Sequence, residues 1–237
     1  MNISSEDELN KKSEKISRFY AIFFPVVFIL TIWLTFIIDH LFGLDLQQYG
    51  IYPRHIKGLK GVVFSPFLHG SWNHLINNTT PSLVLGAALF YFYRKISFRV
   101  LILIWLISGV CIWISARGSY HIGASSVIYG LASFLFFSGI FRNNVRLLAI
   151  TLIITFLYGS MVWGVFPIKP GISWEGHLWG ALTGLVLAYY YRNEGPKRKL
   201  YQWEIDEMRE EEARKNRDKL RIKYHYKEKD DNGSKEE

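Results

Sequence analysis

Apolar residues along this 237-residue chain gather in long unbroken runs rather than alternating with polar ones. Phe19 to Ile38 is free of charge. Gly61 to Tyr93 is also uncharged, polar at its start and apolar from Leu83 onward. Val100 to Ala116 lies between Arg99 and Arg117, and Gly118 to Phe141 between Arg117 and Arg142. Leu147 to Ile168 lies between Arg146 and Lys169, and Gly176 to Tyr191 between Glu175 and Arg192. A helix needs about 20 predominantly apolar residues to cross a bilayer. The runs therefore predict six helices, near 19–42, 72–93, 97–116, 125–142, 145–164 and 175–192. The fourth and sixth are short for a full span, which is tolerated where a helix end opens into protein or a water-filled cavity. The expected fold is an all-α polytopic membrane protein, a bundle of six transmembrane helices, with no internal repeat.

Charge sharpens this picture. Residues 1–18 carry four bases and four acids, and residues 193–237 carry 13 of each, so the net +8 of the chain sits on the apolar centre. Between Phe19 and Arg192 the only acids are Asp39, Asp45 and Glu175. Such a distribution excludes an ordinary cytosolic enzyme and a disordered chain. The absence of basic tails argues against nucleic acid as a partner and leaves the lipid bilayer. Three domains are expected: a cytoplasmic segment 1–18, a membrane domain 19–192 and a charged, helical cytoplasmic tail 193–237. Bases divide 23 to 5 between the two faces of the bundle, so the positive-inside rule predicts both termini in the cytoplasm. Phe42 to Ser71 then becomes an outer-face loop, and its Gly, Tyr and Phe content suits the membrane interface. No cleavable leader is expected, because the first apolar run starts only at Phe19 and lacks a small-residue cleavage site. In the tail, acids from Glu204 to Glu212 precede bases from Arg214 to Lys223, which suits a helix over 199–229. The single cysteine, Cys111, excludes a disulfide framework and a Cys-ligated metal site.

Polar side chains at membrane depth are costly and usually functional. Three clusters stand out: His69, His74, Asn78 and Asn77 at the second helix; Gly123, Ser125, Ser126 and Tyr129 at the fourth; and His177 with Gly180, Ala181 and Gly184 at the sixth. All three lie at the outer ends of their helices in the expected topology, so they can share one depth. Residues four apart share a helix face, which aligns His74 with Asn78 and Ser125 with Tyr129. The small residues after His177 permit close helix approach and can bring that histidine towards Ser125. A serine hydroxyl needs a base to become a nucleophile, and histidine is the usual one. A helix start offers unpaired N–H groups for a developing oxyanion, and Gly123 allows a tight turn before it. Glu175, two residues from His177, points to another face, so a Ser125–His177 dyad is expected rather than a triad.

In these stretches the chain resembles the rhomboid intramembrane serine proteases. The carrying motifs are PFLHGSWNHLINN at 66–78, HIGASSVIYGL at 121–131 and GHLWGALTG at 176–184. The resemblance implies Ser125 as nucleophile, His177 as base, His74 and Asn78 as oxyanion donors, His69 as a support of the fold and Tyr129 as the aromatic residue packed on the base. It also implies transmembrane protein substrates, no cofactor, no metal and residence in a bacterial plasma membrane. Two positions depart from the family pattern: Ser126 where glycine is common, and Pro53-Arg54 where the family's loop often carries a Trp-Arg pair.

Each residue taken singly has a duller explanation. Ser125 could be a helix cap, His177 a core histidine, and His74 and Asn78 interhelical glue. His69 and His74 alone make a poor metal site. Rival readings for the whole chain are a rhomboid-like protein that binds membrane clients without cutting them, and a small transporter. The first is disfavoured by the intact Ser125 and His177. The second would require mid-membrane charge pairs or broken helices.

Overall fold

The computed structural model describes residues 3–143, 145–157, 163–168, 171–195 and 202–221. They fall into two compact units, Met1–Lys197 and Arg198–Glu237. The first unit is helical: α1 (Ile3–Phe42), α2 (Gly61–Phe64), α3 (Trp72–Phe92), α4 (Ser97–Ser115), α5 (Ser125–Phe141), α6 (Val145–Leu157) and α7 (Trp174–Tyr190). The second contains α8 (Gln202–Arg221). Among the described residues the only β pairing is an isolated antiparallel bridge between Ile51 and His121.

Helices lie in each of the six apolar stretches, with some differences at their ends. α1 begins at Ile3 rather than near residue 19. The preceding residues are mostly Glu, Lys and Ser, which extend a helix once it is nucleated, and Glu14 pairs with Arg18 one turn on at 3.0 Å. α6 is described to Leu157; residues 158–162 of the expected 145–164 helix lie outside the described residues, and Gly164 stands in a turn. The tail helix is seen over Gln202–Arg221, and the rest of the expected 199–229 lies outside the described residues. α8 carries the i,i+4 pair Glu211–Lys215 at 4.0 Å.

Among the described residues, two helices, within α1 (Lys12–Phe42) and α4, are long and apolar enough to cross a membrane on their own. α5 is equally apolar but has 17 residues. On α1, Ile22, Leu30, Leu34, Leu41 and Phe42 are all exposed. A water-soluble surface would not carry so continuous an apolar face, whereas hydrocarbon accepts it.

The core is formed where α3, α4, α5 and α7 meet, with Leu89, Ile104, Phe134, Leu135 and Ala188 fully buried. The segment between α1 and α3 is not an open loop. It winds through 3-10 turns at Leu46–Tyr49, Ile56–Gly58 and Ser65–Phe67. Two indoles on α4 fasten it: Trp105 Nε1 donates to the Val62 carbonyl at 2.8 Å, and Trp113 Nε1 to that of His55 at 2.9 Å.

Candidate active site

The start of α5 is held by the chain before it. His121 and Ile51 exchange backbone hydrogen bonds of 2.8 and 3.0 Å, and the Gly123 N–H donates to the Ser65 carbonyl at 2.8 Å. Gly123 has φ +100°, a conformation that strains residues with a Cβ, and a Cβ there would also collide with the His74 ring. Ser125 is the first helical residue, and the cap is Ala124, which makes no side-chain capping bond. The contrast with α3 and α7 is informative. There Ser71 accepts from the His74 N–H at 3.2 Å and Ser173 from the Gly176 N–H at 3.4 Å. Ser125 is therefore no helix cap, and the first-turn N–H groups of α5 are left without a side-chain acceptor.

α7 lies backbone to backbone on α5. A Cβ at Gly180 would overlap the Ser126 carbonyl, and one at Gly184 the Gly130 carbonyl. Only glycine allows this approach. It places the His177 imidazole flat on the Tyr129 ring, centroids 4.1 Å apart and planes within 5°. Tyr129 follows Ser125 by four residues, and helical side chains lean towards the N-terminus. The imidazole thus lies along the face of α5 that carries Ser125. Its Nδ1 is 2.8 Å from the Gly164 carbonyl. A carbonyl oxygen only accepts, so Nδ1 carries the proton and Nε2 presents a lone pair. No hydrogen bond joins the Ser125 hydroxyl to His177; catalytic hydrogen bonds of this kind often close only with substrate bound.

From α3, His74 and Asn78 face Gly123. Their side-chain nitrogens are the neighbours a Cβ at Gly123 would meet, with Asn78 Nδ2 at 3.6 Å. Asn78 is buried and its Nδ2 donates to the His74 carbonyl at 3.0 Å. His69 stands edge-on to His74, ring centroids 5.0 Å apart. It is 2% exposed, and neither ring nitrogen has a hydrogen-bond partner. Burial above all, and then the charge of His74, push its pKa down to about 3; the Phe67 carbonyl pulls the other way without reaching bonding geometry.

Four residues that the sequence reading left without a role align the two helix starts. His121 Nε2 donates to the Arg117 carbonyl at 3.1 Å, so its Nδ1 accepts from the Ser173 hydroxyl at 2.6 Å. Ser173 in turn caps α7. Arg117 and the buried Glu175 form an ion pair at 3.7 Å, and the Arg117 N–H also donates to Glu175 at 3.4 Å. Burial lowers the pKa of His121, opposed by the Arg117 carbonyl and Glu175. Glu175 is thus engaged away from His177, as its spacing predicted. Gly164 is the other omission, because nothing local marks a turn glycine as a partner of an imidazole. His121 opens the motif at 121–131 and Glu175 directly precedes the one at 176–184, so the sequence carried a signal for both.

The gathered groups comprise a hydroxyl at a helix start, an imidazole with a free lone pair along the same face, and two side-chain donors beside the intervening glycine. The set is suited to acyl transfer. Relatives include the uncharacterized protein Rv1337 of Mycobacterium tuberculosis (strain ATCC 25618 / H37Rv), 36% identical over 183 residues, covering 73% of this chain and 75% of the relative. The uncharacterized protein ML1171 of Mycobacterium leprae (strain TN) is 34% identical over 184 residues, covering 73% and 72%. The model of the rhomboid domain matches residues 57–194, which hold every residue of the candidate site. By that match and by these relatives, the chain belongs to the rhomboid family.

Proposed function

We propose that this protein is an intramembrane serine endopeptidase that crosses the membrane six times, with both termini in the cytoplasm, and cuts transmembrane segments of other membrane proteins. The observation that carries the reading is the His177 imidazole, stacked on Tyr129 one turn from Ser125 with Nδ1 tied to Gly164. That tie leaves Nε2 as the base, in the place where other serine hydrolases use a carboxylate to fix the tautomer.

In the proposed reaction Ser125 Oγ attacks the scissile carbonyl carbon while His177 Nε2 takes the hydroxyl proton. The oxyanion that forms is met by the Ser125 N–H and by donors from His74 and Asn78. Collapse breaks the C–N bond, and His177 returns the proton to the leaving amine. Water then repeats the sequence on the acyl-Ser125 ester. A substrate helix must unwind locally to offer its carbonyl, since helical backbone groups are already paired. Small or helix-weakening residues are therefore expected near the cut.

The test is cleavage of a reporter with such a segment, in membranes, by the wild type and Ser125→Ala side by side. Cleavage by the wild type alone supports the reading, and equal cleavage by both overturns it. Labelling by a fluorophosphonate, lost in His177→Ala, separates an active protease from a client-binding protein, which would not label.

A further inference from the structure

A concave feature lies apart from the candidate active site, where the C-terminal third of α1 meets the folded segment that follows it. It is a cavity of about 490 Å³, within the range of small-molecule sites, roughly 300–1,000 Å³. Its wall includes Thr31 and Thr35 of α1 with Phe64, Phe67, Tyr49 and Lys60 of the segment. The Thr31 hydroxyl is spent on the Val27 carbonyl at 2.8 Å, so that residue offers the cavity little but its methyl group. Lys60 is the one charged residue on this wall, and its ammonium stands 3.9 Å from the centroid of the Tyr49 ring.

We infer that this cavity holds one acyl chain of an anionic phospholipid, with the headgroup phosphate on Lys60 and Tyr49. Two arguments single out this occupant. The cavity borders a membrane-spanning helix whose flanking residues, Leu30 and Leu34, are exposed to lipid. Apolar space so placed fills with hydrocarbon rather than with water. The charge is the second argument. This end of the bundle is poor in bases, yet the segment from Phe42 to Ser71 carries Arg54, Lys57 and Lys60 against the single acid Asp45, and all three bases are exposed. A cation and a phenol at the mouth of an apolar pocket match a phosphate joined to a chain. The inference needs membrane residence but not proteolysis.

The full chain, purified in detergent, would be offered equal amounts of phosphatidylglycerol and phosphatidylcholine with identical acyl chains, and retained lipids counted by native mass spectrometry. Phosphatidylglycerol should be retained about fivefold over phosphatidylcholine, the effect of one lysine at an anionic surface. Lys60→Ala should bring the ratio to about one, while Lys57→Ala leaves it unchanged. Thr35→Trp, which fills the cavity, should remove both lipids; Leu68→Trp on the opposite wall serves if Thr35→Trp does not fold. Glycerol phosphate without chains should not compete. No wild-type preference, a preference that survives Lys60→Ala, or full retention in a folded cavity-filling variant would each overturn the assignment.

Discussion

At the scale of single residues, two positions are constrained by different physics. Gly123 combines a positive φ with a position where a Cβ would collide with the His74 ring. Gly123→Ala should destabilise the fold by about 1–3 kcal/mol, read as a lowered melting temperature in detergent, and should lower reporter cleavage more than the stability loss explains. His69 is constrained by desolvation. Its imidazole is neutral in the fold and titrates near 3, against 6.5 in the unfolded chain. The unfolded state therefore binds the extra proton between those values, so stability is full above pH 6.5 and is lost as pH falls below it. The slope belonging to this one group is about 1.4 kcal/mol per pH unit. Melting profiles from pH 7 to 4.5 should be flatter by that amount in His69→Gln. An unchanged slope would show that His69 is protonated, or reached by solvent, in the folded state.

At the scale of elements, the decisive pair is α5 with α7, which meet through Gly180 and Gly184 and are aligned at their starts by the Arg117–Glu175 pair. Glu175 is buried while the Arg117 side chain is 44% exposed. The two partners are therefore not equivalent. Arg117→Ala leaves a buried carboxylate without its cation and should cost about 1–3 kcal/mol, solvent screening of the exposed arginine keeping it from being larger. Glu175→Gln keeps the shape, can still accept from the Arg117 N–H, and should cost less. Adding Glu175→Gln to Arg117→Ala should recover part of the arginine loss. A thermal-melt double-mutant cycle tests this, and purely additive effects would exclude the coupling.

At the scale of the whole molecule, the charged C-terminal unit is a separate compact body without net charge. No residue of the candidate site lies in it. A chain ending at Lys197 should therefore keep the wild-type rate of reporter cleavage, and a large loss would assign the tail a part in the reaction. The expected topology is open to test at this scale too. A fluorescent protein that matures only in the cytoplasm should light up when fused to either terminus.

The sequence by itself determined the all-helical class, the bounds of α3, α4, α5 and α7 within two residues, and the clusters from which the candidate site is drawn, whereas α1 starts 16 residues before its apolar run because polar helix formers extend it. Those signals are local: an apolar run between arginines, a serine after a glycine, small residues at helical spacing. Tertiary structure decided the rest. Whether Ser125 capped its helix could not be read from its neighbours, since a serine at a helix start suits either role; the backbone gave the cap to Ala124. The folded segment after α1 is held by indoles on α4, 43 and 58 residues away in sequence from the carbonyls they bind. His121 reaches Ser173 across 52 positions, and His177 finds its carbonyl at Gly164, a glycine with no periodic signal around it. Such bonds depend on how helices dock, and docking is set by packing between distant stretches of chain, which no local pattern encodes.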